Sequence, residues 1–260
     1  SEQTLTIPLK DHNRPDSDIR VPIPQYLWET RNEPVAIAKN TPIIITSRFQ
    51  AQPGITSAVV SSSLFGSQTI SFSNGLSGFY DFALPASYSS AVGVQQLDID
   101  WQYCDENGTG LPVCQTPEPM HGSSHTLIVT HAYPAGQAPY YTKLIELSTQ
   151  WSQDATTEQE IVDSIFDGTW ILGNYGYQYV YPFRGRTGNN VGDILRQKEG
   201  ACGEWSSFLL RAIDVQGIDA YKVDIVPALL DEYIVESAAL GNSQDLWFYI
   251  DHAFVIYGAD

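Results

Sequence analysis

The residue best placed to act as a nucleophile is a cysteine in the C-terminal part of the chain. Cys202 lies between Gly200 and Gly203, and the residues that follow it are apolar at helical spacing. The pattern predicts a helix that begins at Cys202 and has a left-handed terminator at Gly217. The apolar positions are Trp205, Phe208, Leu209, Ala212 and Ile213.

The start of a helix is an environment that activates sulfur. Backbone N–H groups of the first turn have no helical acceptor, and the positive end of the helix dipole favours a thiolate. The same N–H groups, with Gly203 among the candidates, are suited to stabilise an oxyanion. We interpret Cys202 as a candidate nucleophile. The alternative is a structural cysteine, because free cysteines are among the most buried residues.

A candidate base follows about fifty residues later. Residues 247–257 are rich in aromatic and β-branched side chains and precede a glycine, so they predict a buried strand that carries His252. In Cys–His catalysis the histidine takes the thiol proton and later returns a proton to the leaving group. A strand histidine is also common as an ordinary hydrogen-bonded residue, and that alternative stays open.

A tyrosine-rich stretch precedes the cysteine. If it forms a strand, every second residue faces the same side, so all four tyrosines share one face. They then either wall an acyl-binding cleft or cover the helix against the sheet. The residues are Tyr175, Tyr177, Tyr179 and Tyr181.

These elements together resemble the transglutaminase-like superfamily, whose members are relatives of the papain-type cysteine peptidases. The resemblance extends from about Asp154 to the C-terminus. It comprises a helix, an aromatic loop, a segment that leads to Gly-x-Cys-Gly, a strand, and a second strand with the pattern His-x-aromatic-Val. In this chain the five elements are residues 161–172, 175–179, 191–202, 218–226 and 252–255.

The resemblance implies a particular chemistry. The Cys202 thiolate attacks an amide carbonyl and forms a thioester, while His252 acts as base and then as acid. Family members use a side-chain oxyanion donor upstream of the cysteine, for which Trp170, Asn174 and Gln178 are candidates. The substrate is expected to be a protein or peptide, and no cofactor is required.

One part of the family pattern is not evident. An acid on the strand after the histidine strand usually orients the imidazole, yet the sequence ends eight residues after His252. Asp251 points away from His252 on a regular strand, and Asp260 serves only if the terminus folds back. We therefore expect a domain that is cut short at its C-terminus, with the remainder of the same precursor as a partner.

The first part of the chain has a different pattern. Short β-rich runs recur at intervals of about ten residues and are separated by Pro, Gly, Ser and Asn clusters. This predicts an antiparallel, Ig-like β-sandwich over residues 1–145, followed by a transglutaminase-like α+β domain over residues 146–260. The predicted strands are residues 4–9, 42–49, 57–62, 68–72, 78–84, 94–103 and 125–131.

Composition limits the partners and the compartment. The 30 acidic and 13 basic residues give a formal charge of −17, which repels nucleic acid and anionic membranes. No apolar run is long enough to span a bilayer, so no membrane insertion is expected. A local disulfide between Cys104 and Cys114 leaves Cys202 free, and it predicts a secreted, periplasmic or cell-surface protein.

Two groups of residues invite a metal interpretation. Asp105, Asn107 and Thr109 offer oxygen ligands at alternating positions, but the glutamate of an EF-hand loop is missing, so calcium is a minor alternative. The histidines have no supporting cysteine or carboxylate cluster, so we predict no metal site. They are His12, His121, His125 and His131.

The sequence thus predicts a secreted transglutaminase-like cysteine enzyme that acts through Cys202 and His252, with hydrolysis slightly favoured over amine transfer. The alternative is a binding or adhesion module that uses the β-sandwich and carries an incomplete, non-catalytic enzyme domain.

Overall fold

The protein has a mixed α+β architecture in the computed structural model. The structure describes residues 6–10, 34–105, 118–119, 122–136, 139–179, 191–225, 233–237, 244–249 and 252–257. Within this part of the chain, no helix is long and apolar enough to cross a membrane.

Four α-helices occur among the described residues, all in the second half of the chain. They are α1 (Thr142–Trp151), α2 (Glu158–Ile171), α3 (Val191–Gln197) and α4 (Cys202–Asp214). The first was not predicted, because its apolar positions lie in the stretch interpreted as the domain boundary. Short 3₁₀ helices cover Ala86–Ser89 and Leu172–Tyr175.

Helix α2 begins at a capping box. The Thr157 hydroxyl accepts the backbone N–H of Glu160 at 3.2 Å, and the Glu160 carboxylate accepts the backbone N–H of Thr157 at 3.2 Å. The two reciprocal bonds satisfy N–H groups that a helix start leaves without acceptors. They fix the start of α2 at the position that the Thr-x-x-Glu pattern indicates.

Among the described residues the strands form two larger sheets and four small ones. The four-stranded sheet has the spatial order β1 (Thr6–Ile7), β3 (Val35–Ala38), β11 (Ser123–Thr130) and β8 (Gly93–Ile99). The six-stranded sheet has the order β10 (Glu118–Pro119), β9 (Gln102–Asp105), β5 (Ser57–Ser62), β6 (Gly66–Ser73), β7 (Leu76–Ala83) and β4 (Ile44–Gln50). The small sheets pair β2 (Leu9–Lys10) with β12 (Tyr140–Tyr141), β13 (Gln178–Tyr179) with β14 (Glu199–Gly200), β15 (Ala220–Ile225) with β18 (His252–Tyr257), and β16 (Tyr233–Ser237) with β17 (Gln244–Tyr249).

The β-rich half departs from the prediction in several respects. Strand β3 was not predicted, and the strand predicted over residues 4–9 is interrupted at Pro8 between β1 and β2. Strand β11 runs parallel to β3, with Ile128 opposite Ala36, so the four-stranded sheet is mixed and not purely antiparallel. The single strand predicted over residues 94–103 is two strands in different sheets. Asp100 and Trp101 lie between β8 and β9, and there the chain passes from the four-stranded sheet to the six-stranded sheet.

The two central strands of the four-stranded sheet, β3 and β11, are largely buried on both faces. Ile37 and Val129 point toward the six-stranded sheet, where they form a core cluster with Ile45 of β4. Their neighbours Ala36 and Ile128 point the opposite way and join the core that the helices build. Alternation along a strand explains this division. The strands of the first half and the helices of the second half therefore share one core, and the predicted boundary after residue 145 falls inside α1.

Candidate functional site

Helix α4 begins at the predicted nucleophile. Ala201 is extended, with φ −91° and ψ −172°, and Cys202 is the first helical residue. The Ala201 carbonyl accepts the N–H of Trp205 at 3.0 Å, which is the first bond of the helix. The N–H groups of residues 202–204 therefore have no acceptor within the helix.

The predicted apolar face of α4 is confirmed. Trp205, Phe208, Ala212 and Ile213 are buried, and Leu209 packs against the same cluster. The burial of this face fixes which way the first turn faces.

The turn after α4 is also as predicted. Gly217 has φ +74°, a conformation that favours glycine. A Cβ atom at this position would lie 2.7 Å from the carbonyl carbon of Ala132. The turn thus joins the end of α4 to the segment that follows β11, and this contact positions the helix relative to the sheet.

A buried carboxylate in the first turn of α4 was not predicted. Glu204 is 8% exposed, and its carboxylate accepts the backbone N–H of Ala201 at 3.1 Å. This is one half of a capping box, because the alanine side chain offers no acceptor in return. The sequence signal that could have indicated this bond is an acidic residue three positions after the helix cap. Its negative charge offsets the positive end of the dipole close to Cys202, which opposes thiolate formation.

Gln178, one of the predicted oxyanion donors, is held beside the segment that leads to the cysteine. Strand β13 runs parallel to β14, with Gln178 opposite Glu199, and the Gln178 N–H donates to the Lys198 carbonyl at 2.7 Å. The Trp205 indole N–H donates to the Gln178 carbonyl at 3.4 Å. Gln178 is exposed, so its side chain is accessible to a ligand.

The four tyrosines do not form one wall. Tyr175 ends a 3₁₀ helix and is 65% exposed, whereas Tyr177 and Tyr179 are 6% and 8% exposed. The condition of one regular strand does not hold at Tyr175, because Gly176 is left-handed at φ +82° and reverses the chain. The Tyr177 ring packs edge-on against Trp205 at 6.2 Å, and burial raises the pKa of its hydroxyl. Tyr181 lies outside the described residues.

The other three predicted oxyanion or cleft residues lie in helices, and Asn174 is exposed in the short 3₁₀ helix Leu172–Tyr175. Trp170 is on α2, where it is 55% exposed and stacks on Phe166 with ring centroids 6.3 Å apart. Gly203 is the second residue of α4, and its carbonyl accepts the Ser207 hydroxyl at 2.7 Å. The Gly203 N–H belongs to the first turn and is free of helical bonds.

His252 begins a strand that contacts helix α4. The predicted single strand over residues 247–257 is in fact two strands, because β17 pairs with β16 while β18 pairs with β15. In the second pair His252 lies opposite Ile225, the last residue of β15. Helix α4 contacts both β15 and β18.

A short connection joins α4 to the strand that pairs with β18. Residues 215–219 link α4 to β15, and the helix contacts both strands of the pair. The 13 residues of α4 and the six of β15 each span about 20 Å. The strand that begins at His252 thus packs against the helix that begins at Cys202.

Several predicted residues lie outside the described part or away from this site. Cys104 is disulfide-bonded, but its predicted partner Cys114 is outside the described residues, as are Asp260 and His121. The bridge between Cys104 and Cys114 stays a prediction.

Of the four histidines that invited a metal interpretation, the structure describes His125 and His131, whereas His12 and His121 lie outside the described residues. His125 is buried on β11, where its Nε2 lies 2.8 Å from the Ser123 hydroxyl. His131 Nε2 lies 3.9 Å from a Glu158 carboxylate oxygen. In the part of the chain that the structure describes, no three His, Cys, Asp or Glu residues are grouped to hold a metal ion. The predicted calcium ligands Asn107 and Thr109 are outside that part.

Comparisons of the chain with protein-family models and with curated proteins found no match.

Proposed function

We propose that the chain is a transglutaminase-like cysteine enzyme that acts on amide bonds of proteins or peptides. The observation that carries this proposal is the relation of Cys202 and His252 to two elements in contact. One is the first residue of a helix and the other is the first residue of a strand that the helix contacts. A nucleophile at a helix start with a histidine close by is the arrangement that thiol catalysis requires.

The reaction follows from these roles. His252 takes the Cys202 proton, and the thiolate sulfur attacks the amide carbonyl carbon to form a tetrahedral oxyanion. The oxyanion collapses, the C–N bond breaks, and the protonated imidazole gives its proton to the departing amine, which leaves a thioester. Water then attacks the thioester, His252 accepts the water proton, and the thiol is restored on release of the acid. An amine in place of water gives a new amide.

Two kinds of donor are available for the oxyanion. The N–H groups of the first turn of α4, including that of Gly203, have no helical acceptors. The side-chain amide of Gln178 is the second kind of donor. Gln178 is exposed, and its pairing with β14 holds it beside the segment that leads to Cys202. We propose that these groups stabilise the oxyanion, because β14 holds Gln178 beside the segment that leads to Cys202, whereas Trp170 stacks on Phe166 on α2.

A second candidate function is a binding module without catalysis. The buried Glu204 carboxylate favours it, because a negative charge in the first turn of α4 makes the thiolate harder to form. Both candidates agree with a secreted protein that contains a disulfide, which we also propose.

The test is the rate of iodoacetamide labelling of Cys202, followed by peptide mass mapping, between about pH 5 and about pH 9. If the proposal is right, Cys202 is labelled rapidly at about pH 6, where an ordinary thiol with a pKa near ~8.5 is almost wholly protonated. The His252→Ala variant should lose this acidic-pH reactivity. His131→Ala is the matched control, because His131 lies near Glu158 on α2 and not in the β15–β18 sheet.

The second part of the test is turnover. A glutamine-containing peptide is incubated with the protein, and ammonia release is compared with and without a primary amine. Release that requires Cys202 supports the enzyme, and incorporation of the amine distinguishes transfer from hydrolysis. Slow labelling that is indifferent to His252, together with no turnover, would sink the enzyme proposal in favour of the binding module.

A further inference from the structure

Helix α2 has a second organised face, which points away from the core. Its buried residues are Ile161, Ile165 and Gly168, spaced by four and three. On the opposite side the same spacing recurs in Asp163, Phe166, Asp167 and Trp170, and all four are exposed. Residues three and four apart on a helix are neighbours on one face. We call these four residues the outer α2 face.

The aromatic pair on this face is ordered and accessible. Phe166 and Trp170 are 54% and 55% exposed, and their rings are nearly parallel at 21° with centroids 6.3 Å apart. Ile171 and Tyr175, next along the chain, are 48% and 65% exposed. Single exposed apolar residues are ordinary on a protein surface, but four in ten residues of one segment form a patch. A patch of this kind is typical of a surface that binds a partner.

The negative charge around the patch favours a cationic partner. Between Ser152 and Tyr175 the chain has five acidic residues and no lysine or arginine. Two of them, Asp163 and Asp167, flank the aromatic pair, and Gln159 donates to Asp163 at 2.8 Å. The whole chain carries a formal charge of −17, so an anionic partner is repelled.

We infer that the outer α2 face binds a cationic segment of another protein, one that presents arginine or lysine side chains between apolar ones. A guanidinium group lies favourably over the faces of Trp and Phe, and it pairs with carboxylates at the edge of the same surface. The aliphatic parts of those side chains cover the ring faces. This inference is independent of the thiol chemistry proposed for Cys202.

The experiment measures fluorescence anisotropy of a labelled peptide with alternating arginine and leucine residues, titrated with the full chain. We expect saturable binding that weakens as salt increases. Phe166→Ala and Trp170→Ala should each weaken binding about tenfold, as central aromatic residues of interfaces do. Asp163→Asn with Asp167→Asn should weaken it and reduce its salt dependence.

Matched variants control for general effects. Phe79→Ala removes an aromatic side chain that is 72% exposed on the six-stranded sheet, and Asp98→Asn removes an exposed charge on β8. Neither should change binding. All the altered residues are exposed, so folding can be checked by circular dichroism and is expected to be intact. Equal binding by wild-type protein and the Trp170→Ala variant would overturn the inference. So would stronger binding of a glutamate–leucine peptide or of a neutral oligosaccharide.

Discussion

Gln216 and Ser148 are joined by a 2.9 Å hydrogen bond inside the core shared by the helices and the four-stranded sheet. The Gln216 side chain is fully buried, and its Nε2 also donates to the Thr149 hydroxyl at 2.9 Å. Its Oε1 accepts the backbone N–H of His131 at 3.1 Å. One side chain therefore ties the end of α4 to α1 and to the segment after β11, which fixes the helix that carries Cys202.

Gln216→Leu is expected to destabilise the protein by about 2–4 kcal/mol. The variant leaves the His131 N–H without its acceptor and the Ser148 and Thr149 hydroxyls without the Gln216 donor, although the Ser148 hydroxyl keeps its bond to the Ala212 carbonyl. Each lost partner of this kind costs about 1–3 kcal/mol, and new apolar contacts compensate part of that cost. Urea unfolding measures the change. Gln96→Ala is the control, because Gln96 is exposed and its side-chain amide donates an exposed hydrogen bond to the Thr126 hydroxyl. A loss as small as in this control would contradict the structural role of Gln216.

Gly168→Ala is expected to destabilise α2 although alanine is the better helix former. A Cβ at Gly168 would collide with the indole of Trp151, the last residue of α1. In an open helix the substitution stabilises by about 1 kcal/mol, whereas overpacking costs about 1–3 kcal/mol. Subtracting the gain from the cost leaves an expected net loss of up to about 2 kcal/mol in thermal or urea unfolding.

The Trp151→Ala background provides the control for this prediction. With the indole removed, Gly168→Ala should be neutral or stabilising, because only the helix propensity remains. An equal loss in both backgrounds would show that the ring is not the cause.

Substitutions of Glu204 separate its capping role from its charge. Glu204→Gln keeps an oxygen that accepts the Ala201 N–H, whereas Glu204→Ala removes the acceptor and should cost about 1 kcal/mol in urea unfolding. If Cys202 is the nucleophile, Glu204→Gln should also accelerate its labelling at acidic pH, because the opposing charge is gone. Slower labelling in Glu204→Gln than in wild type would mean that the carboxylate assists the thiol.

The stability of the protein should fall when the solution is acidified below neutrality, in part because of His125. Burial lowers the pKa of His125 from its ordinary value of 6.5. Below that value the unfolded chain binds a proton that the native protein does not, so stability is present above pH 6.5 and is lost as the pH falls toward the lower native pKa.

Urea unfolding of wild type and His125→Gln between about pH 7 and about pH 5 measures this contribution. The variant should show a shallower loss across this range. Glu160 does not interfere, because its pKa is lowered from 4.5 by hydrogen bonds from Thr156 and Thr157, and its contribution is lost only at more acidic pH. Parallel profiles for the two proteins would contradict a neutral, buried His125.

Local sequence patterns determined several elements of this protein. The 3.6-residue spacing from Trp205 to Ile213 fixed both the helix and its buried face. The Thr157–Glu160 pair fixed the start of α2, and Gly217 fixed the end of the turn after α4. In each case the cause lies within a few residues, through side-chain spacing, a cap or a backbone conformation, so the sequence alone is sufficient.

Tertiary structure decided the features that depend on distant partners. Residues 247–257 have one continuous β pattern, but they divide because β16 and β15 offer separate ladders. The parallel pairing of β11 with β3 joins segments about ninety residues apart in the chain. Packing between elements likewise determines three features of the candidate site. They are the burial of Glu204, the position of Gln178 beside the segment that leads to Cys202, and the exposure of Trp170. Hydrogen-bond partners and buried surfaces depend on which elements pack together, and local sequence propensity does not encode that packing.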